Sequence, residues 1–496
     1  MRKCGILLPV SSLPSNYGIG TFGKCAYEFV DFLSLAKQGY WQVLPLGPTS
    51  FGDSPYQSFS SLAGNPYFID LDMLKDENLI EDEDLVELSK LGLTIDYAAQ
   101  YNLRYVVLRK AYSNFKPNAK YNKFVKDNKH WLEDYSLFMS LKKTHNDASW
   151  NNWSNEYKFY NKKNLKEYYN ANKDDVDFWK FLQFKFDEQW QELKEYAHQK
   201  GVEIIGDIPI YVAYDSADVW SNVKEFELNE NLEPTNVAGC PPDAFCEDGQ
   251  LWGNPLYNYQ LMKEDGYSWW IRRMKKACEL YDVIRIDHFR GFEAYYSIPA
   301  SHVNARRGKW KKGPGYSLFS AIEKAIPGIR IIAEDLGFIT EGVRKLLKKT
   351  GYPGMKIMEF AFDPSNDGEY MLHNHIKNCV VYTGTHDNVP LRGWFKELDQ
   401  EHKHFVMEYL MLTDESKVCD QMIRMSLSSV ADLTIIPFQD YLGLDSDTRI
   451  NTPSTAENNW VYRINKEYLS YELAMYLAFL AKLYRRAELD EKAEEE

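Results

Sequence analysis

The chain has few cysteines and no long apolar run. Its seven cysteines (4, 25, 240, 246, 278, 379 and 419) are an odd number among 496 residues and include no C-x-x-C pair, which argues against a disulfide framework or a zinc site. No apolar run reaches membrane-spanning length. The basic start, Met1 to Val10, is broken by Pro9 before a signal-peptide core can form, so a cytoplasmic location is expected. Positive charge is also scarce. With 58 Lys and Arg against 72 Asp and Glu, the net charge is −14, which disfavours nucleic acid or an anionic membrane as partner. Glycine and proline nearly vanish over residues 68–200, where only Gly92 and Pro117 occur. That stretch reads as helical.

Apolar and aromatic residues are plentiful. At 44% hydrophobic and 26% charged, the chain can bury a large core. Eight β-branched, strand-like runs cover residues 5–13, 40–46, 202–210, 283–289, 329–336, 355–362, 380–385 and 433–442. Helix-period segments such as 26–38, 267–280, 341–349 and 401–412 lie between them. Eight alternations predict an α/β fold, a single (β/α)8 TIM barrel over residues 1–496. Within it, about 68–200 forms a helical insertion and about 211–266, rich in Gly, Pro, Asn and Asp, a loop-rich subdomain over the active-site cleft. Gly18-Ile-Gly-Thr-Phe-Gly23 matches a dinucleotide fingerprint. However, four residues separate it from its strand and the next strand ends without an acid, so a sharply turning barrel loop is the better account.

Carboxylates stand at the ends of the later strands. In Val283-Ile-Arg-Ile-Asp287 the two-residue period puts Arg285 and Asp287 on one face, where the guanidinium favours an ionised carboxylate, either for nucleophilic attack or as a plain ion pair. Glu334 ends the next strand. Adjacent strands lie ~4.8 Å apart, which suits the ~5–5.5 Å carboxyl separation of retaining glycosyl transfer. Burial and Asp335 beside it would raise its pKa, as a general acid requires. Asp387, with His386, ends the seventh run, and Asp207 the third. The alternatives are buried structural acids for Glu334 and an Asx turn for Asp387. No His pair has metal-ligand spacing, so no metal or cofactor is expected. The 15% aromatic content, with 35 Tyr and 13 Trp, fits sugar stacking as well as a composition-biased genome.

These residues carry a resemblance. Asp207–Val212, Arg285-Ile-Asp-His-Phe-Arg-Gly-Phe292, Ala333-Glu-Asp-Leu-Gly337 and Thr383-Gly-Thr-His-Asp-Asn388 resemble the four motif regions of the α-amylase clan. With Trp41–Pro48, Ser54–Ser58, Ala63–Pro66, Asp215–Trp220, Pro241–Asp243 and Gly249–Pro255 they are similar to the amylomaltases of glycoside hydrolase family 77, from Gly5 to about Tyr462. The resemblance implies disproportionation of α-1,4-glucans and maltooligosaccharides, with glucose as an acceptor. It implies Asp287 as nucleophile, Glu334 as acid/base and Asp387 as the residue gripping the distorted sugar. Arg285, His288, His386, Asp207 and Asp363 would surround that sugar, and Ser54, Tyr56, Asp243 and Trp252 would line the cleft. The chain departs from the family at Thr21-Phe22, Cys240 and Asn451–Trp460, none of them a catalytic group. An α-1,4-glucan hydrolase differs only in its acceptor, and a glucan-binding scaffold would have no turnover to lose.

Overall fold

The computed structural model describes residues 2–242, 247–365 and 367–489. Eight parallel strands form its centre: β1 (Lys3–Leu7), β2 (Tyr40–Gln42), β3 (Glu203–Ile208), β4 (Val283–Ile286), β5 (Ile331–Ala333), β6 (Gly354–Ile357), β7 (Cys379–Tyr382) and β8 (Leu433–Pro437). Except for β5 and β6, consecutive strands pair, and β8 returns to β1 in register from Lys3–Leu433 to Leu7–Pro437. Between β5 and β6 no ladder forms. Ala333 N–H donates to Pro353 O at 2.9 Å and Met355 N–H to the Asp335 carboxylate at 2.7 Å, drawing the sheet into a barrel.

Both strand faces are apolar because both are covered. Leu7, Ile205, Val283, Ile332, Met355, Val380 and Ile435 form one buried cluster. Their strand neighbours Ile6, Ile204, Ile284, Ile286 and Ile331 belong to the larger cluster with the helices. Arg285 therefore shares the face of Val283. The first and last strands are shorter than the sequence predicts. Residues 10–12 make a 3-10 turn after Pro9, and helix Phe438–Tyr441 starts directly after Pro437. Each proline lacks the N–H a ladder needs.

Between β2 and β3 the chain forms helices, of which Lys129–Thr144 packs on the 27-residue Lys173–Gln199. Lys142, with 4% of its side chain exposed, ties these helices to the β3 side of the barrel through Asp215 at 2.6 Å. Residues 211–266 are less loop-like than their composition predicts. Asn236–Cys240 and Gln250–Pro255 pair antiparallel, and Ala294–Pro299 and Lys309–Lys312, which carry no clear strand signal, extend them to a four-stranded sheet. Cross-strand pairing has overridden a turn-rich composition.

Candidate active site

The acids gather at the C-terminal mouth of the barrel. Arg285 is the hub. Its Nη1 donates to Asp207 at 2.5 Å and its Nη2 to Asp287 at 3.3 Å. Asp207 and Arg285 are paired residues of β3 and β4, so the backbone register alone brings them together. Tyr56 donates its hydroxyl to the same Asp207 oxygen at 2.8 Å, and Ser54 Oγ accepts the Tyr56 N–H at 3.2 Å, fixing the turn that aims the ring inward. The ring lies on His386 at 5.3 Å and 16°, with Trp460 behind at 5.8 Å.

Ile286 and Ala333 are register partners on β4 and β5, and each is followed at once by an acid, Asp287 and Glu334. Glu334 accepts the backbone N–H groups of His288 at 2.6 Å and Leu336 at 2.7 Å, so its carboxyl is bonded to the residue next to Asp287. His288 takes a left-handed conformation, φ 53°, which bends the chain back under Glu334. Its ring meets Trp252 edge-on at 4.8 Å, and among the described residues its Nε2 has no hydrogen-bond partner. Asp387 accepts from Asn451 Nδ2 at 2.6 Å and lies 3.4 Å from His386 Nε2.

The two neighbouring acids separate in proton affinity. Burial, then the Asp287 charge, pushes Glu334 up to about 8 against the pull of Arg285 and its two N–H donors. Burial also lifts Asp287, to about 6. Arg285 opposes that rise, while Asp207 and Asp387 add to it. Asp287 keeps 31% side-chain exposure, open to the cleft though crowded by protein. Arg285 thus limits the rise in Asp287 rather than holding it at an ordinary value, and near neutrality Asp287 is ionised while Glu334 holds a proton. The charge acting on Glu334 is Asp287, not Asp335, whose carboxylate is turned to Met355 N–H. Burial, then Arg290, lowers His288 to about 3, and burial lowers His386 against the pull of Asp387. Burial also opposes the charge of Arg285, but Asp207 and Asp287 outweigh it.

The structure joins Ser54, Tyr56, Asp207, Arg285, Asp287, His288, Glu334, His386, Asp387 and Trp252 through these contacts. Asp363 stays apart. It is exposed and accepts from Ser365 N–H at 2.8 Å and Ser365 Oγ at 2.6 Å, capping its own turn. Asp243 lies outside the described residues. Sequence reasoning overlooked three supports. Glu359, buried behind the Asp387 loop, accepts from Asn388 Nδ2 at 2.8 Å. Asn388 Oδ1 in turn accepts from Thr385 N–H and Oγ, and Thr385 Oγ accepts Asp387 N–H. Arg449 bonds both Asp387 O and Asn451 O. No local signal marks Asn451, which reaches Asp387 across 64 residues. Among the described residues no three His, Cys, Asp or Glu side chains are grouped to hold a metal.

Residues 8–469 match the family model described as 4-alpha-glucanotransferase. A 4-alpha-glucanotransferase of Clostridium butyricum is 50% identical over 97% of this chain and 100% of its own length. The chloroplastic/amyloplastic enzyme of Solanum tuberosum is 43% identical over 93% of this chain and 82% of that protein. Among solved structures, an amylomaltase from Streptococcus agalactiae in complex with acarbose superposes with a TM-score of 0.95 at 39% identity, covering 98% of this chain and 100% of that one. A clustered set of barrel-mouth acids and likeness to these proteins over nearly the whole length agree, and the chain belongs to the 4-alpha-glucanotransferase enzyme family.

Proposed function

We propose that the protein disproportionates α-1,4-glucans. It cleaves one maltooligosaccharide, holds the glucosyl segment on Asp287 and passes it to the 4-OH of another glucan or of glucose. Glu334 donates its proton to the glycosidic oxygen as the Asp287 carboxylate attacks the anomeric carbon, and the C1–O bond to the leaving glucan breaks. Glu334 then takes the proton of the incoming 4-OH, whose oxygen attacks C1 and frees Asp287. Asp387 and His386 grip the strained sugar, and Tyr56 and Trp252 line its path. The observation that carries this reading is the Asp287–Glu334 pair: acids after register partners on neighbouring strands, one ionised and one protonated near neutrality. That is the equipment of a retaining mechanism.

Favouring a sugar over water requires a dry acceptor side. Residues 47–66 and 239–255, rich in aromatics, Pro and Gly, support that selection. The relatives' names and the acarbose-bound neighbour support an α-glucan substrate, and the cysteine usage supports a cytoplasmic setting. Incubation with maltotriose alone is the test. Glucose together with oligosaccharides longer than the substrate is the expected product ladder; a ladder containing only shorter sugars identifies a hydrolase instead.

A further inference from the structure

The last helix, Tyr471–Leu483, is apolar on the wrong side. Its inner residues Ala474, Leu477, Ala478, Leu480 and Ala481 are buried, against the helices Lys24–Leu35 and Val418–Ser428. Its outer face should then be polar, as on any surface helix. Instead Tyr471, Met475, Phe479 and Leu483, spaced four residues apart, are 64%, 42%, 53% and 48% exposed. Tyr476 flanks them, its hydroxyl fixed by Asp420 and Arg424. Twelve residues at 1.5 Å each make a stripe about 18 Å long. The seven residues beyond those described, 490–496, are six charged residues and one alanine, with no large apolar side chain to cover it.

The charges at its ends say what fits. Glu472 stands exposed at the start of the stripe and Arg485 exposed just past its end, and among the described residues neither has an ion pair. A second helix laid antiparallel across a two-fold axis near Leu477 sets Tyr471 against Leu483 and Met475 against Phe479. It also sets each Glu472 opposite Lys482, three residues short of Arg485, on the other copy. A parallel arrangement aligns like charges. Self-complementarity of this kind defines an isologous interface. We propose that the stripe is the contact of a homodimer of this chain, with the last helices packed antiparallel and both barrel mouths free. One helix pair covers less than the roughly 800 Å² per partner of standard interfaces, so the dimer is reversible.

Sedimentation velocity of the full-length protein from about 1 to 200 µM tests this. The expected result is a monomer–dimer equilibrium, weakened at least tenfold by Phe479→Glu and by Met475→Glu, with thermal midpoint and maltotriose turnover retained. Glu472→Arg should weaken it, and adding Arg485→Glu should restore it. A wild-type monomer throughout, association unaffected by both Glu substitutions, or no recovery in the double charge swap would each overturn the proposal. Pelleting of wild type but not Phe479→Glu with zwitterionic vesicles, without self-association, would assign the stripe to a lipid surface and overturn it as well.

Discussion

Asp207 and Asp287 share one guanidinium. Arg285 reaches the first at 2.5 Å and the second at 3.3 Å, and Asp207, with no side-chain exposure, depends on that contact and on Tyr56. Arg285→Ala is expected to cost about 3–5 kcal/mol, because it strands a buried carboxylate. The acid limb of the activity profile should also move to higher pH, since Asp287 loses the charge that restrains its pKa. Urea unfolding and a pH–rate series would check both, and an unmoved acid limb would refute the link between Arg285 and Asp287.

The pH dependence of the wild type follows from the two acids. In the proposed mechanism Asp287 is deprotonated and Glu334 protonated, so kcat/KM for maltotriose should rise through about pH 6. It should fall again through about pH 8 as Glu334 loses that proton. Glu334→Gln should abolish the alkaline limb and lower kcat by about 10²–10⁴. A limb that persists in that variant belongs to another group.

Glu359 holds the Asp387 loop at one remove. Burial, then Asp440, raises its pKa well above the usual glutamate value. Glu359→Gln keeps an oxygen for Asn388 Nδ2 and should retain activity within a few-fold. Glu359→Ala leaves that amide unsatisfied, a loss of about 1–3 kcal/mol, and should depress kcat more than it changes KM. Equal turnover for the two variants would remove Glu359 from the positioning chain.

Lys142 separates stability from catalysis. It bonds Asp215 at 2.6 Å and the carbonyls of Asp147 and Ala148, far in sequence from the barrel acids. Lys142→Ala should cost about 2–3 kcal/mol, less than a fully buried pair because Asp215 keeps 30% exposure. Turnover per folded molecule should stay at the wild-type value. Chemical denaturation followed by an active-site-normalised assay measures the two effects independently.

The barrel and most of its acids were legible because local rules decide them. Unbroken β-branched runs mark strands buried on both faces, and the alternation of Val283, Arg285 and Asp287 gives the facing directly. Legibility failed where long-range contacts decide. The strand Lys309–Lys312 is mostly charged and exists only because Ala294–Pro299 pairs with it. Asp363, suggested by likeness, lies beyond a 3-10 turn at Met358–Phe360 that ends the strand and turns the chain toward solvent. Glu359, within that turn, is buried instead and reads in the sequence as one polar residue in an apolar run.

The junction of β5 and β6 bears on how one acid can serve two chemical steps. Seven of the eight strand contacts around the barrel are continuous ladders, but this one rests on one backbone bond and the carboxylate of Asp335, the residue after Glu334. Glu334, the proposed proton donor, therefore stands beside the one seam of the barrel that no ladder closes. A group that must follow one oxygen as it departs and another as it arrives gains from such give. Amide exchange at Met355, faster than at Val381 inside a full ladder, would be its signature.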